Sequence, residues 1–130
     1  MSSIQRKIPA PTPTPETEAF WAGMMEGRFQ LRRCAACGEA HWYPRAICPH
    51  CMSDQTEWVA SSGEGVIYSY SVMRRAAEPY AIAYVTLAEG VTMLTNLVAC
   101  DFDTLAIGQR VKLVAMPTEG GPPVPCFTPA

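Results

Sequence analysis

The sequence predicts a mostly β protein, in which a short helix and a four-cysteine ribbon precede a small antiparallel barrel. Three observations lead to this fold class. Two Cys-x-x-Cys pairs lie close together, large apolar residues recur at helical spacing before them, and long alternating runs follow them. We expect four segments: a flexible proline-rich arm over residues 1–15, the helix and ribbon over 16–60, the barrel over 61–117, and an extended tail over 118–130.

Composition limits what this chain can do. Its 130 residues, 48% hydrophobic and 17% charged, can bury one core. With 10 Lys+Arg against 12 Asp+Glu, the sequence offers no cationic footprint for a nucleic-acid partner. No apolar run approaches the ~20 residues of a membrane helix, and the start lacks the apolar middle of a secretory signal. We therefore expect a cytoplasmic protein that binds neither nucleic acid nor membrane.

A short helix is predicted before the first cysteine. Thr14 suits its N-cap, Pro15 its first position, and Gly27 a left-handed C-terminal cap. One helical face is large and apolar, and it either packs on the chain's own core or docks on a partner. This candidate interface consists of Phe20, Trp21, Met24 and Met25.

Alternating strands are predicted after the sequence SSGEG. Tyr68 and Tyr70 are expected to share one face of the first strand with Val66 and Val72. Similarly, Tyr80, Ile82, Tyr84 and Thr86 are expected to share one face of the second strand. A hairpin turn at Glu89-Gly90 and two further strands fit a barrel of the OB type. The prolines of the tail predict an extended segment that cannot pair as a central strand.

The four cysteines of the ribbon are the most specific signal. Cys34, Cys37, Cys48 and Cys51 form two Cys-x-x-Cys turns, which can converge on a tetrahedral ion with metal–sulfur bonds of ~2.3 Å. Four thiolates leave no open coordination position, so the predicted Zn²⁺ is structural. The arginines at 32, 33 and 45 are placed to offset the charge of the cluster. His41 and His50 are interpreted as surface residues.

Other uses of these thiols remain open. Four thiolates also suit rubredoxin-type iron, which would make the protein an electron carrier. Disulfides would require an oxidising compartment, and a thioredoxin-type redox pair would require a βαβ setting that the sequence does not supply. A single-stranded nucleic-acid module is a further alternative, because ribbons and OB barrels both occur there.

Several longer stretches point to a known family. They are FWAGMMEGRFQLRRCAACGEAHWYPRAICPHC, EWVASSGEGVIYSYSV, LAEGVTMLTNLV and LAIGQRVKLV. Taken in this order, they resemble the acyl-CoA-associated OB-fold proteins that carry an N-terminal rubredoxin-like zinc ribbon. Met52 departs from that pattern, because the second cysteine turn often carries Gly there.

The resemblance implies a non-catalytic accessory or scaffold subunit in lipid, steroid or aromatic acyl-CoA metabolism. Such a subunit would form a hetero-oligomer with a thiolase-like enzyme or an acyl-CoA hydratase or dehydrogenase, and would share its CoA thioester at the partner interface. If CoA is contacted, cations and an aromatic rim are needed near the barrel mouth. The candidate contacts are Arg74, Arg75, Tyr80 and Asn96.

Overall fold

A computed structural model describes residues 8–130. The chain forms a helix α1 (Glu18–Met25), a ribbon of β1 (Gln30–Cys34), β2 (Ala40–His41) and β3 (Thr56–Ala60), and then a barrel. The barrel strands are β4 (Glu64–Met73), β5 (Tyr80–Leu87), β6 (Thr92–Leu97), β7 (Arg110–Met116) and β8 (Val124–Pro129), with a short 3-10 helix at Phe102–Thr104. The mostly β architecture is confirmed. No helix among the described residues is long and apolar enough to cross a bilayer.

The helix begins later than predicted. Thr14, Pro15, Glu16 and Thr17 form a turn in which the N–H groups of Thr17 and Glu18 both donate to the Thr14 carbonyl at 2.9 Å. The N-cap is therefore Thr17. The other end agrees with the prediction: Gly27 has a φ of 81°, and its N–H donates to the Met24 carbonyl. A left-handed residue at this position satisfies the last carbonyls of the helix.

The apolar face of α1 packs on the chain's own core. Phe20 is fully buried, with its ring centroid 4.8 Å from that of Trp21 and 5.1 Å from that of Trp42. Met24 is also buried. The predicted interface is thus corrected for these three helix residues, because burying them against the ribbon and barrel removes them from any partner. Only Met25, 69% exposed, remains available.

One hydrophobic core joins the helix, the ribbon and the barrel. Phe29 and Leu31 enter it from the ribbon, and Phe127 enters it from the barrel, with the rings of Phe29 and Phe127 6.5 Å apart. The ribbon strands are antiparallel in the order β2-β1-β3, with β1 in the centre. Because apolar burial is the main stabilising term, the ribbon and barrel should unfold as one cooperative unit.

The barrel is closed in the order β4-β5-β6-β8-β7. A bulge between Ile67 and Ser69 shifts the pairing of β4 with β5. A bulge adds one residue and switches the alternation of faces. The predicted shared face of the first strand is therefore wrong: Val66 lies outward opposite Thr86, whereas Tyr70 lies opposite buried Ala83. The predicted shared face of the second strand is confirmed, and it is the outer one.

The C-terminal segment corrects a second prediction. It contributes β8, a central strand that pairs along β7 and closes the barrel against β6 through Leu97 and Phe127. Prolines are tolerated in β8 because they alternate along the strand with the residues whose backbone N–H groups donate to β7. Pro125 directs its carbonyl towards Thr95 of β6, whereas the N–H of Ala130 donates to β7 at Arg110. The missing N–H of Pro125 thus removes no bond to β7.

The described end of the proline-rich arm is attached to the barrel. Ile8 accepts a hydrogen bond from the N–H of Glu119 at 3.0 Å, and Pro9 forms a bridge with the same residue. Ile8 also packs against the small cluster of Val98, Met116 and Cys126. The arm was expected to be flexible, but these contacts fix residues 8–9. Residues 1–7 of the arm lie outside the described part.

Candidate metal centre and barrel surface

The ribbon brings four sulfurs to one point. The Sγ atoms of Cys34 and Cys51 are 3.6 Å apart and those of Cys37 and Cys48 are 3.8 Å apart, and all four lie within 4.8 Å of one another. A tetrahedral zinc site with bonds of ~2.3 Å places its sulfurs about 3.8 Å from each other. The residues therefore fit a four-thiolate metal site, as their spacing predicts.

The two cysteine turns repeat one backbone pattern. In the first turn, the N–H of Gly38 donates to the Cys34 carbonyl at 2.8 Å. In the second, the N–H of Met52 donates to the Cys48 carbonyl at 2.9 Å. Gly38 and Met52 both have positive φ, 79° and 66°. Met52 thus keeps the left-handed conformation that favours glycine and that Gly38 adopts in the first turn, with no backbone adjustment to the larger side chain.

Backbone donors support negative charge on the sulfurs. The N–H of Cys37 points at the Cys34 sulfur and lowers the pKa of that thiol to about 7, against the effect of burial. At Cys51 the N–H of Ser53 favours the thiolate, but the neighbouring Cys34 thiol and burial together raise its pKa to about 12. One cysteine therefore ionises readily, whereas ionisation of a second cysteine beside it is opposed. All four cysteines can be thiolates together only when a cation is bound.

The arginines around the ribbon make specific contacts. Arg33 donates through Nε to the Gly38 carbonyl at 3.2 Å, next to the first cysteine turn. Arg32 donates to the hydroxyl of Thr56 and lies over the Trp58 ring at 4.6 Å. Arg45 is exposed. Arg33 is therefore fixed beside the first turn, whereas Arg32 is held by the third ribbon strand.

The loop over residues 42–50 is held by contacts that sequence reasoning missed. The carboxylate of Glu16, before the helix, accepts a 2.7 Å hydrogen bond from the N–H of Ala46. On the other side, the Thr56 hydroxyl donates to the Ala46 carbonyl at 3.1 Å. This loop contains Cys48 and leads into the second cysteine turn, so the segment before the helix helps to position the metal ligands. Nothing in the local sequence links Glu16 to a residue thirty positions away.

His41 is not a surface residue as predicted. It is 3% exposed, lies opposite Arg32 in the ribbon sheet, and neither ring nitrogen has a hydrogen-bond partner among the described residues. Burial lowers its pKa, since desolvation disfavours the imidazolium. His50 is exposed as expected, and its backbone N–H lies 3.4 Å from the Cys48 sulfur.

The candidate CoA contacts lie towards one end of the barrel. Arg74 forms an ion pair with Asp103 at 2.8 Å, beside a groove of about 190 Å³ that also carries Asp101. These carboxylates reduce the suitability of Arg74 as a phosphate anchor. Arg75 is exposed. Tyr80 lies opposite Met73, and the Asn96 side chain donates to the Ala81 carbonyl at 3.2 Å.

Both parts of the chain match described families. Residues 21–57 match the rubredoxin-like zinc ribbon domain of ChsH2, and residues 58–115 match its C-terminal OB-fold domain. A "DUF35 domain-containing scaffold protein" of Methanothermobacter thermautotrophicus is 36% identical over 108 residues, which cover 76% of this chain and 80% of that protein.

Other similar proteins are parts of enzyme complexes by name. A "Probable enoyl-CoA hydratase alpha subunit" of Thermomonospora curvata is 36% identical over 118 residues; the match covers 86% of this chain but only 37% of that protein. A solved chain described as "Ltp2-ChsH2(DUF35) aldolase" is 31% identical, with a TM-score of 0.80, and the match covers 92% of this chain and 98% of that one. The shared ribbon, barrel and order of domains show that the chain belongs to the DUF35 family and carries the two domains described for ChsH2.

Proposed function

We propose that this protein is a non-catalytic accessory subunit that assembles with an acyl-CoA enzyme, either a thiolase-like enzyme or an acyl-CoA hydratase or dehydrogenase. The observation that carries the proposal is the structural match over 98% of a chain from the Ltp2-ChsH2 aldolase. The printed names of relatives agree: an enoyl-CoA hydratase alpha subunit and a benzoylsuccinyl-CoA thiolase subunit are among them.

The geometry of the metal site supports an accessory role. All four ligand positions are filled by cysteine sulfurs, so no position is left for a substrate or a reacting water. A closed four-thiolate zinc site supplies folding energy and not chemistry. We assign Zn²⁺ to it, and place the protein in the cytoplasm, because free thiolate ligands suit a reducing compartment.

Metal analysis separates zinc from iron. Protein purified from cells supplied with both metals should be colourless and contain one zinc ion per chain. A red protein with visible charge-transfer bands would overturn the zinc assignment and favour the rubredoxin-like electron carrier.

We also propose that the barrel end near Tyr80 and Asn96 contacts the pantetheine arm of a CoA thioester held by the partner. Arg75 is the candidate cation there, since Arg74 is paired with Asp103. In the assembled complex, Arg75→Ala should raise KM for the acyl-CoA several-fold, while Lys112→Ala, which pairs with Glu64 at the opposite end of β4, should not. Equal KM values in both variants would contradict the proposed contact.

Co-expression tests the accessory role itself. The chain should be produced together with each acyl-CoA enzyme subunit encoded beside its gene, and separately with Ltp2 as a reference partner. We expect stable co-purification with at least one of the neighbouring subunits, and an acyl-CoA turnover that falls when this chain is omitted. Failure to co-purify with any of them, with turnover unchanged, would contradict the proposal.

A further inference from the structure

The outward side of the first three barrel strands has an unusual composition. The register aligns its residues in four cross-strand rows: Val66, Thr86 and Thr92; Ser69, Tyr84 and Leu94; Ser71, Ile82 and Asn96; Met73 and Tyr80. Tyr68, in the bulge beside these rows, is also exposed. We call these residues the outer face of β4, β5 and β6. Within the described chain, none of them is Asp, Glu, Lys or Arg.

Large side chains on this face remain in solvent. Tyr68 is 66% exposed, Leu94 53%, Tyr84 47% and Val66 39%. Tyr84 and Leu94 stand directly opposite each other at the centre of the rows. A sheet with one solvated face normally alternates apolar residues with polar and charged ones. Here the solvated side is instead uncharged and rich in tyrosine.

Charged residues surround the outer face without entering it. Glu64 and Glu89 lie near one end, and Arg74, Arg75 and Glu78 follow β4 at the other. The centre contains a depression of about 140 Å³ whose lining includes Tyr84, Ile82 and Leu94 from the two middle rows. Protein interfaces show the same arrangement, with charge depleted from the centre, tyrosine enriched there, and a polar rim. Such a depression can receive one anchoring side chain.

The size of the face also fits an interface. Three strands spaced by ~4.8 Å and eight residues at ~3.3 Å each give an area of about 14 Å by 26 Å. This exceeds 300 Å², the range in which an exposed patch is often functional. A standard interface buries about 800 Å² on each partner, so the face would supply its central part.

We propose that the outer face of β4, β5 and β6 is the surface on which the acyl-CoA enzyme subunit docks, through an uncharged apolar patch of that subunit. This inference rests on the proposed accessory function and adds the location of the contact. A neutral surface complements a neutral one, whereas single-stranded nucleic acid would require cations along the groove. Tyr80 and Asn96 belong to the same face, so a docked enzyme would lie next to the proposed pantetheine contact.

Substitutions test this docking surface in the co-expressed complex. Leu94→Glu and Tyr84→Glu each place a carboxylate in the middle of the face, and we expect each to weaken binding of the enzyme subunit by about thirtyfold. The matched control is Ala115→Glu, at an exposed position of β7 outside the face, and it should bind within about twofold of the wild type. Zinc content and circular dichroism should be unchanged in all three variants.

A second measurement covers the case in which a glutamate variant fails to fold. Photoreactive benzoylphenylalanine in place of Tyr84 keeps an aromatic ring, and it should cross-link to the enzyme subunit. The same group at Ala115 should not. Cross-linking from Ala115 and not from Tyr84, or unchanged affinity in both folded glutamate variants, would overturn the assigned surface.

The outcomes separate this inference from the proposed function. If the wild type binds the enzyme subunit and all three variants bind equally, the surface is wrong and the accessory role stands. If the wild type binds none of the tested subunits, the accessory role fails and the docking surface fails with it. If the isolated chain forms a dimer that Leu94→Glu dissociates, the occupant of the face is a second copy, and the inference is overturned.

Discussion

The carboxylate of Glu89 accepts a 3.0 Å hydrogen bond from the backbone N–H of Ser62. Its other oxygen accepts a bond from the Ser61 hydroxyl at 2.9 Å. Glu89 lies in the turn between β5 and β6, whereas both serines lie in the link between ribbon and barrel. One side chain therefore fixes the path of the chain from the metal-binding half into the barrel.

Replacing this carboxylate should reduce stability in a pH-dependent way. Burial opposes ionisation of Glu89, but the bonds from Ser62 and Ser61 prevail and hold its pKa below the ordinary value of 4.5. Its contribution is therefore present above the unfolded pKa and is lost as pH falls through the lower folded pKa. Glu89→Gln should cost about 1 kcal/mol at pH 7. In urea titrations, the difference from wild type should shrink below pH 4.5; a constant difference would contradict this assignment.

Met52 offers a stabilising substitution. Its φ of 66° imposes a left-handed strain that glycine does not suffer, and its side chain is 76% exposed, so little packing is lost. Met52→Gly should raise the free energy of unfolding of the zinc-loaded protein by about 0.5 to 1 kcal/mol. Met52→Ala keeps the strain and serves as the control. A Met52→Gly protein no more stable than Met52→Ala would show that the left-handed conformation carries no cost here.

The helix supplies a contrast between buried and exposed residues. Phe20→Ala should destabilise the protein by about 3 to 5 kcal/mol, since it opens a cavity where ribbon, helix and barrel meet. Met25→Ala, at the exposed end of the same helix, should change stability by less than about 0.5 kcal/mol. Thermal unfolding by calorimetry measures both. Similar small effects at the two positions would mean that the helix does not belong to the shared core.

Loss of one metal ligand should destabilise the ribbon together with the barrel that shares its core. Cys48→Ser removes a buried sulfur and should abolish stoichiometric zinc binding, because three thiolates leave the site open. A strong chelator should produce the same state in the wild type. Cys100→Ser, outside the ligand set, should keep full zinc content. Elemental analysis with far-ultraviolet circular dichroism measures both effects, and a folded, zinc-free Cys48→Ser protein would show that the metal is dispensable.

Local patterns predict the metal site and most strands. The ligands could be identified because Cys-x-x-Cys spacing determines which sulfurs meet, and the hairpin of β5 and β6 could be identified because Glu89-Gly90 marks its turn. The interactions that were missed all join distant residues. The bond between Glu16 and Ala46, and the one between Glu89 and Ser62, depend on how the folded segments lie against each other.

The two wrong predictions for the barrel have related causes. The alternating sequence of β4 predicts one continuous face, but a bulge after Ile67 changes which side Tyr70 occupies. The prolines of β8 predict a segment that cannot be a central strand, but the Pro125 backbone faces β6, with which β8 forms few pairs. Both depend on pairing register, which a single strand's sequence does not determine.

Native mass spectrometry of the chain co-purified with the acyl-CoA enzyme subunit tests the accessory role and the metal site together. We expect a hetero-oligomer that contains one zinc ion for each copy of this chain. Detection of this chain as a metal-free monomer, in a preparation whose enzyme subunit is intact and active, would contradict both the accessory role and the metal site.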